Sequence, residues 1–286
     1  MKRILILGGT RYLGEAVVNQ IPKEKFEIAT VSRSEKKTDV RHFVCDRKNS
    51  SDLKNVFECF KPNIILDMVN FDAGDSESIS ELYEKGFIQE LNHYVMISTF
   101  FIYNHFDYNF FAEKKLNDSV KLDDIPGYTK RKIQSELKLY TSQLMDVTTI
   151  LRLPFVFSAD DYSNRFQELC ELSLTGFEAV NGCGFKYSLV RKNDAAEAMI
   201  RVMQSNSIGI ADLCNVGCIT SKELLEAVKH TATLLKDNGD FQHKGLPYLV
   251  ERDICLNPQK IAIKSTILEA LRIEARDYWM AKTISN

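Results

Sequence analysis

The chain has 286 residues and a mass of 32.7 kDa, enough for one large domain or one domain with a smaller one attached. Lys and Arg total 37 against 39 Asp and Glu, a net charge of −2, which argues against a polyanion-binding surface and so against nucleic acid as a partner. No run of about 18 apolar residues is present to cross a membrane.

Seven cysteines, at positions 45, 59, 170, 183, 214, 218 and 255, are scattered and odd in number. That pattern argues against a disulfide framework and for a reducing cytoplasm, the expected location. Cys214 and Cys218 have a spacing near that of a metal pair. No second Cys or His pair lies close by, so they read as small buried apolar residues and no metal is expected.

In chain order, Ile4 to Leu7 reads as a buried strand, because its apolar stretch is too short for a signal peptide. Tyr12 to Ile21 is helical and stops near Pro22. Phe26 to Val31 and His42 to Cys45 are strand-like, and Asp52 to Phe60 is helical. Ile64 to Asp67 is a strand, Ser76 to Gly86 a helix and Tyr94 to Ser98 a strand. Gly127 to Leu144 is a long helix, and Val147 to Leu151 the next strand. Alternating strands and helices imply parallel pairing, since each crossover must carry the chain back across the sheet. Near-continuous apolar strands fit a sheet covered on both faces, the α/β Rossmann-type doubly wound class. After Pro154 the pattern loosens. Glycines at 176, 182 and 184 mark turns, Asn193 to Met203 is helical, and Thr220-Ser221-Lys222-Glu223 caps another helix.

The segment Gly8-Gly9-Thr10-Arg11-Tyr12-Leu13-Gly14 follows the first strand and opens the first helix. Such a turn points free backbone N–H groups and the positive helix end at a pyrophosphate. Gly8 permits the tight turn, and Gly14 lets helix and strand pack closely. The strand after it ends in Val31-Ser32-Arg33. A carboxylate there would favour the free 2′-hydroxyl of NAD. With none present and Arg33 available, the 2′-phosphate of NADP is the better match, NAD being the alternative.

These residues resemble the short-chain dehydrogenase/reductase superfamily, in its extended NAD(P)-dependent epimerase/dehydratase branch. That branch usually carries glycine where this chain has Arg11. The form Gly-Gly-Thr-Arg-aromatic-apolar-Gly is similar to an atypical subgroup labelled variously as sugar-nucleotide epimerases, isoflavone-reductase-like proteins and chloroplast stem-loop RNA-binding proteins. The resemblance implies that Gly8, Thr10, Arg11, Tyr12, Leu13, Gly14, Ser32 and Arg33 bind the dinucleotide. It further implies that Asp46 contacts the adenine amino group, and that Met68, Val69 and Asn70 after the fourth strand line the cofactor. Pro154 lies in Leu151-Arg152-Leu153-Pro154-Phe155-Val156-Phe157, which resembles the segment flanking the nicotinamide.

Tyr128-Thr129-Lys130-Arg131-Lys132 sets a tyrosine and a lysine at i and i+4 on one helix face. An adjacent ammonium is expected to lower the phenol pKa from about 10, so that Tyr128 exchanges a proton with a sugar or alcohol oxygen. The superfamily keeps its Tyr-x-x-x-Lys pair at this place, and Glu136 continues the resemblance. By the same resemblance Lys132 also holds the cofactor ribose. Ile97-Ser98-Thr99-Phe100-Phe101-Ile102-Tyr103 resembles the family's Ser-Ser/Thr-x-x-Val-Tyr segment, which makes Thr99 the substrate-orienting hydroxyl, with Ser98 the alternative. Sugar-nucleotide 4,6-dehydratases place Asp-Glu directly after that threonine. Phe100 and Phe101 cannot do acid or base chemistry, so dehydration is disfavoured.

Val190-Arg191-Lys192-Asn193-Asp194-Ala195-Ala196-Glu197-Ala198 resembles the branch's Val-x-Asp-x-Ala helix start, and Cys214-Asn215-Val216-Gly217 its later Asn-Val-Gly element. The segment from Asn70 to Asn92 is short for the branch and lacks its usual Asn-x-x-Gly-Thr helix. The expected division is a dinucleotide-binding domain over 1–154 and about 186–208, and a smaller substrate-binding lobe over about 155–185 and 209–286. Loops from Tyr162 to Gly184 and Phe241 to Arg252 would read the substrate, with Arg165, Lys186 and Arg252 as phosphate partners or plain surface cations. The resemblance implies an NAD(P)-dependent epimerase or reductase acting on a small molecule, a nucleotide sugar, with a homodimer as an admissible assembly. The competing reading is an NADP-binding sensor or RNA-associated protein on the same fold. Near-neutral charge argues against RNA, and the intact Tyr/Lys pair argues against lost catalysis.

Overall fold

The computed structural model describes residues 1–105, 122, 125, 127–175, 184–205, 207–235, 248, 250, 252–256, 261, 263–285. Side chains are described for all of these except 175, 230–235 and 283–285. The chain separates into two compact units, Met1–Arg152 with Ala196–Ala211, and Leu153–Ala195 with Asp212–Asn286.

The first unit begins with β1 (Lys2–Leu7), α1 (Tyr12–Gln20), β2 (Phe26–Ser32), β3 (Arg41–Val44), α2 (Ser50–Phe60), β4 (Ile64–Asp67) and α3 (Ala73–Glu84). It continues through β5 (His93–Thr99), a 3₁₀ turn Phe100–Asn104, α4 (Gly127–Tyr140), a second 3₁₀ turn Gln143–Val147 and β6 (Thr148–Leu153). Next along the chain are β7 (Phe155–Phe157), α5 (Arg165–Thr175), β8 (Lys186–Tyr187), β9 (Leu189–Arg191), α6 (Lys192–Gln204) and β10 (Gly209–Asp212). The last elements are β11 (Ile219–Thr220), α7 (Ser221–Leu235) and α8 (Ile267–Ser285).

Seven strands form one sheet in the order β10-β6-β5-β4-β1-β2-β3. β1 pairs in parallel with β2 and β4, and β2–β3 and β4–β5 are parallel too. The order reverses at β1, and such a switch point opens a crevice at the carboxyl ends of the strands. Ile4, Leu5, Ile6 and Leu7 of β1 and Ile64, Ile65 and Leu66 of β4 are no more than 2% exposed. Burial on both faces explains why these strands read as unbroken apolar runs. Leu53, Phe57 and Phe60 of α2, Ile79 and Leu82 of α3 and Leu139 of α4 pack with them into one core.

α3 starts earlier than the expected Ser76. Asp72 caps it by accepting from Asp75 N at 3.1 Å, so the helix takes in Ala73 and Gly74. Asn49 likewise starts α2 before Asp52, accepting from the amides of Ser51 and Asp52. Within the second unit, α7 packs on α5 and α8. Its capping box is closed in both directions: Glu223 N donates to Thr220 Oγ1 at 3.1 Å and Thr220 N to Glu223 Oε2 at 2.8 Å. Thr266 and Glu269 repeat the arrangement at the start of α8. Asn215 is fully buried, accepting from Arg191 N at 2.8 Å and donating to Asp194 at 2.7 Å and Ser265 Oγ at 2.8 Å.

Two expectations are corrected here. Cys218 is disulfide-bonded to Cys255. The antiparallel β8–β11 pair and the Tyr187–Ile254 bridge bring together residues 37 apart in sequence. Cys218 therefore does not team with Cys214, which is buried with its thiol pushed up to about 12 by burial. The span from Tyr162 to Gly184 is not simply a loop, because α5 occupies Arg165–Thr175. Gly176 and Gly182, and most of Phe241 to Arg252, lie outside the described residues.

Candidate active site

The turn between β1 and α1 is shaped by its glycines. Gly8 has φ +86°, a left-handed conformation that side chains rarely adopt, and a Cβ there would stand 2.5 Å from Val69 Cγ1. A Cβ on Gly14 would meet Gly8 O at 2.5 Å and Gly9 Cα at 2.9 Å, both backbone atoms. Arg11 occupies the cap position of α1 and makes no side-chain cap hydrogen bond, so its side chain satisfies none of the first-turn amides. Tyr12 enters the helix at φ +47°. Arg11 is exposed, Thr10 and Tyr12 are half-buried, and Leu13 is buried. A tight turn ending at an uncapped helix start is a cradle for an anion, so the residues fit a dinucleotide pyrophosphate.

β2 ends beside this turn, where Gly8 N donates to Val31 O at 3.0 Å. Arg33 follows, exposed and without an ion pair among the described residues. Asp46 lies past β3, where its carboxylate accepts from Lys48 N at 3.0 Å. That bond closes the turn before α2, whose start is capped by Asn49 and not by Asp46.

Behind the ends of β3 and β4 lies a buried polar network that sequence reasoning missed. Arg47 Nη1 donates to both oxygens of Asp67 at 2.7 Å, and Nη2 to Asp75 O at 2.9 Å. Tyr94 donates to Asp67 Oδ2 at 2.7 Å and receives a bond from Asn70 Nδ2 at 3.1 Å. Asn70 also bonds Ser76 and Ser135. Burial alone lowers the Arg47 pKa, yet the facing Asp67 and Asp75 carboxylates raise it overall. Met68 and Val69 are half-buried and Asn70 fully buried, so this network fixes the loop after β4.

The helix α4 clasps the end of β5 through three successive turns. The Tyr128 phenol stands close to Thr99, whose hydroxyl acts to lower its pKa. Lys132 Nζ donates to Ile97 O at 2.8 Å and also to Asn70 O. Glu136 accepts from Ser98 Oγ. Positions 128, 132 and 136 share one helix face, so they meet strand residues 99, 97 and 98. Arg152 of β6 supports the lowest turn by donating to Glu136 Oε2 at 2.6 Å, and both side chains are fully buried. Its guanidinium also lies 4.9 Å from the Tyr103 ring centroid.

Electrostatics depart from expectation at the tyrosine. The Tyr128 pKa is raised, chiefly by desolvation of the phenol even though the residue is 45% exposed, against opposing influences from Thr99 and Arg131. Lys132 does not lower it, because the ammonium is turned to backbone carbonyls. Lys132, 2% exposed, is itself lowered to about 8 by burial, while Asp67 and Glu136 oppose the shift. Phe100 is buried and Phe101 half-buried, their rings 4.8 Å apart.

In the second unit, Pro154 is buried between β6 and β7. Arg165 is engaged by Asp161 at 3.2 Å and Ser163 at 2.8 Å, and Lys186 and Arg252 are exposed. Among the described residues no cluster of His, Cys, Asp or Glu is arranged to hold a metal, and no helix is long and apolar enough to cross a membrane.

The model of the NAD dependent epimerase/dehydratase family matches residues 4–217. The chain belongs to this family. Curated proteins gave no match by sequence. Among solved structures, the fold is similar to the dTDP-glucose 4,6-dehydratase of Bacillus anthracis in complex with NAD. The TM-score is 0.74 at 14% identity, covering 100% of this chain and 98% of that one. UDP-glucose 4-epimerase of Thermus thermophilus, complexed with NAD, gives 0.69 at 18% identity, over 97% and 99% of the two chains. The dTDP-4-dehydrorhamnose reductase of Bacillus anthracis, complexed with NADP, gives 0.68 at 14%, over 96% and 98%. At these identities the likeness establishes the Rossmann-type fold of this family member.

Proposed function

We propose that this family member is an NADP(H)-dependent epimerase or reductase of a nucleotide sugar, with NAD as the alternative cofactor. The observation that carries the reading is the Tyr128 phenol placed beside Thr99 at the end of β5, one turn from Lys132 on the same helix face. The glycine turn, Ser32, Arg33 and Asp46 would hold the dinucleotide, with Thr10, Arg11, Tyr12 and Leu13 around the phosphates. Met68, Val69, Asn70 and Pro154 would flank the nicotinamide. A bound nicotinamide supplies the hydride acceptor or donor.

Tyr128 moves the proton and Thr99 orients the substrate oxygen. A phenol whose pKa is raised stays protonated near neutral pH, which suits donation to a carbonyl oxygen in the reductive direction. Lys132 keeps its charge below pH about 8, and its third N–H has no hydrogen-bond partner among the described residues, which supports a ribose hydroxyl as its ligand. Phe100 and Phe101 offer no acid or base after Thr99, which disfavours 4,6-dehydration. The second unit would supply the substrate-reading lobe.

The test is a thermal-shift screen of sugar nucleotides with NADPH present, followed by turnover of the hits. With a turned-over substrate, Tyr128→Phe should lower kcat by about 10²–10⁴ while dinucleotide affinity changes little. Wild-type turnover in that variant overturns the acid–base assignment. Tight NADPH binding with no substrate turned over favours the sensor reading.

A further inference from the structure

The cofactor reading leaves open what holds Arg33 in place. Arg33 sits in the bend that follows β2 and is exposed. Ser32 O accepts from Cys45 N at 2.9 Å, which fixes the entry to the turn. The exit is fixed by a side chain from the neighbouring strand. His42 lies opposite Thr30 in the β2–β3 register. Its Nδ1 is 2.8 Å from Thr30 Oγ1, and its Nε2 is 3.1 Å from Ser34 O and 3.3 Å from Ser32 Oγ. A carbonyl oxygen only accepts, so Nε2 carries the proton and donates to Ser34 O, and Nδ1 accepts from the buried Thr30 hydroxyl. Ser32 Oγ donates to the same carbonyl at 2.8 Å. The imidazole therefore ties both ends of the Ser32–Ser34 turn to a buried residue of β2.

We propose that His42 is a positioning residue for cofactor choice, holding the turn so that Arg33 faces the 2′-phosphate of the adenosine ribose. The inference rests on the reading of Arg33 as the 2′-phosphate partner. A turn held before binding presents its cation without an ordering cost at the moment of binding. NADH has no group for Arg33, so loosening the turn affects NADPH selectively.

The geometry separates the two imidazole nitrogens. A glutamine at 42 can place an amide nitrogen near the Nε2 position and keep the bond to Ser34 O. An asparagine reaches only the Nδ1 position, keeping the partner of Thr30 and losing Ser34. Affinities for NADPH and NADH are measured by nucleotide fluorescence titration on the full chain, for the wild type, His42→Gln, His42→Asn and Arg33→Ala. Thermal unfolding of each variant confirms that it is folded. His42→Asn should lower the ratio of NADPH to NADH affinity by about fivefold or more, the scale of one lost hydrogen bond, and His42→Gln should retain most of it. A wild-type ratio in His42→Asn, or an equal loss in His42→Gln, overturns the role of His42 while Arg33→Ala still lowers NADPH affinity. If Arg33→Ala leaves NADPH binding unchanged, the 2′-phosphate reading fails and the role of His42 falls with it.

Discussion

Lys132 carries a buried charge, and that burden is measurable without any substrate. In the folded protein its pKa is about 8, against 10.5 for an ordinary lysine. Between those values the unfolded chain holds a proton that the folded protein has released, so stability rises with pH across the window. Below about pH 8 both states are charged and above 10.5 both are neutral, so the contribution is flat on either side. Integrated over the window, the interval corresponds to about 3 kcal/mol, with a limiting slope of about 1.4 kcal/mol per pH unit. Lys132→Met removes the titrating group. It also leaves Asn70 O and Ile97 O without their donor, at about 1–3 kcal/mol each, so stability at any single pH is a poor measure. The pH dependence is the readout. Urea unfolding of both proteins from pH 7 to 10.5 should show the wild type gaining on the variant as pH rises. Parallel curves would mean that Lys132 is not titrating in this window, and the account of its burial would be wrong.

Two further outcomes follow from the geometry. Gly14→Val should abolish binding of NADPH and NADH alike and cost about 1–3 kcal/mol in unfolding experiments, since the added atoms meet backbone rather than a yielding side chain; dinucleotide affinity in a folded variant would remove the turn from the site. Arg152→Met leaves Glu136 charged, buried and without its partner, so denaturant unfolding should register a loss of about 3–5 kcal/mol, partly recovered by adding Glu136→Gln; a loss under about 1 kcal/mol, the scale of an exposed pair, would show the pair to be solvated.

The β1–α1 turn was legible because glycine positions are set by backbone sterics, which are local. Strand runs such as Ile64 to Asp67 were legible for a similar reason: burial on both faces leaves only apolar residues. The capping box at Thr220 is legible because Thr-x-x-Glu is a local signal, and the same signal stands at Thr266, where nothing tertiary hides it. Helix starts at Ser50 and Ala73 were placed late because Asn49 and Asp72 act through side-chain bonds invisible to hydrophobic periodicity. The Arg47–Asp67–Tyr94–Asn70 network joins three segments far apart in sequence, and the charged or polar residues that build it look like surface residues in sequence. The Cys218–Cys255 pair depends on β8 meeting β11, which spacing cannot reveal. Tyr128 and Lys132 were rightly placed on one helix face. What their i, i+4 spacing did not disclose was the direction of the ammonium, which is drawn to the carbonyls of Ile97 and Asn70.

The clasp between α4 and β5 has a mechanical consequence. Its lower rungs, Lys132 and Glu136, are sunk in the protein, whereas Tyr128 is 45% exposed. Tyr128 is thus a cantilever: one helical turn, about 5.4 Å long, projecting from an ionic root. Sliding α4 by a single residue would rotate all three rungs by about 100° and break them together, so small displacements are resisted at the root and expressed at the tip. The Tyr128 phenol at the start of α4 can therefore yield locally, while Thr99 at the end of β5 is held by the strand.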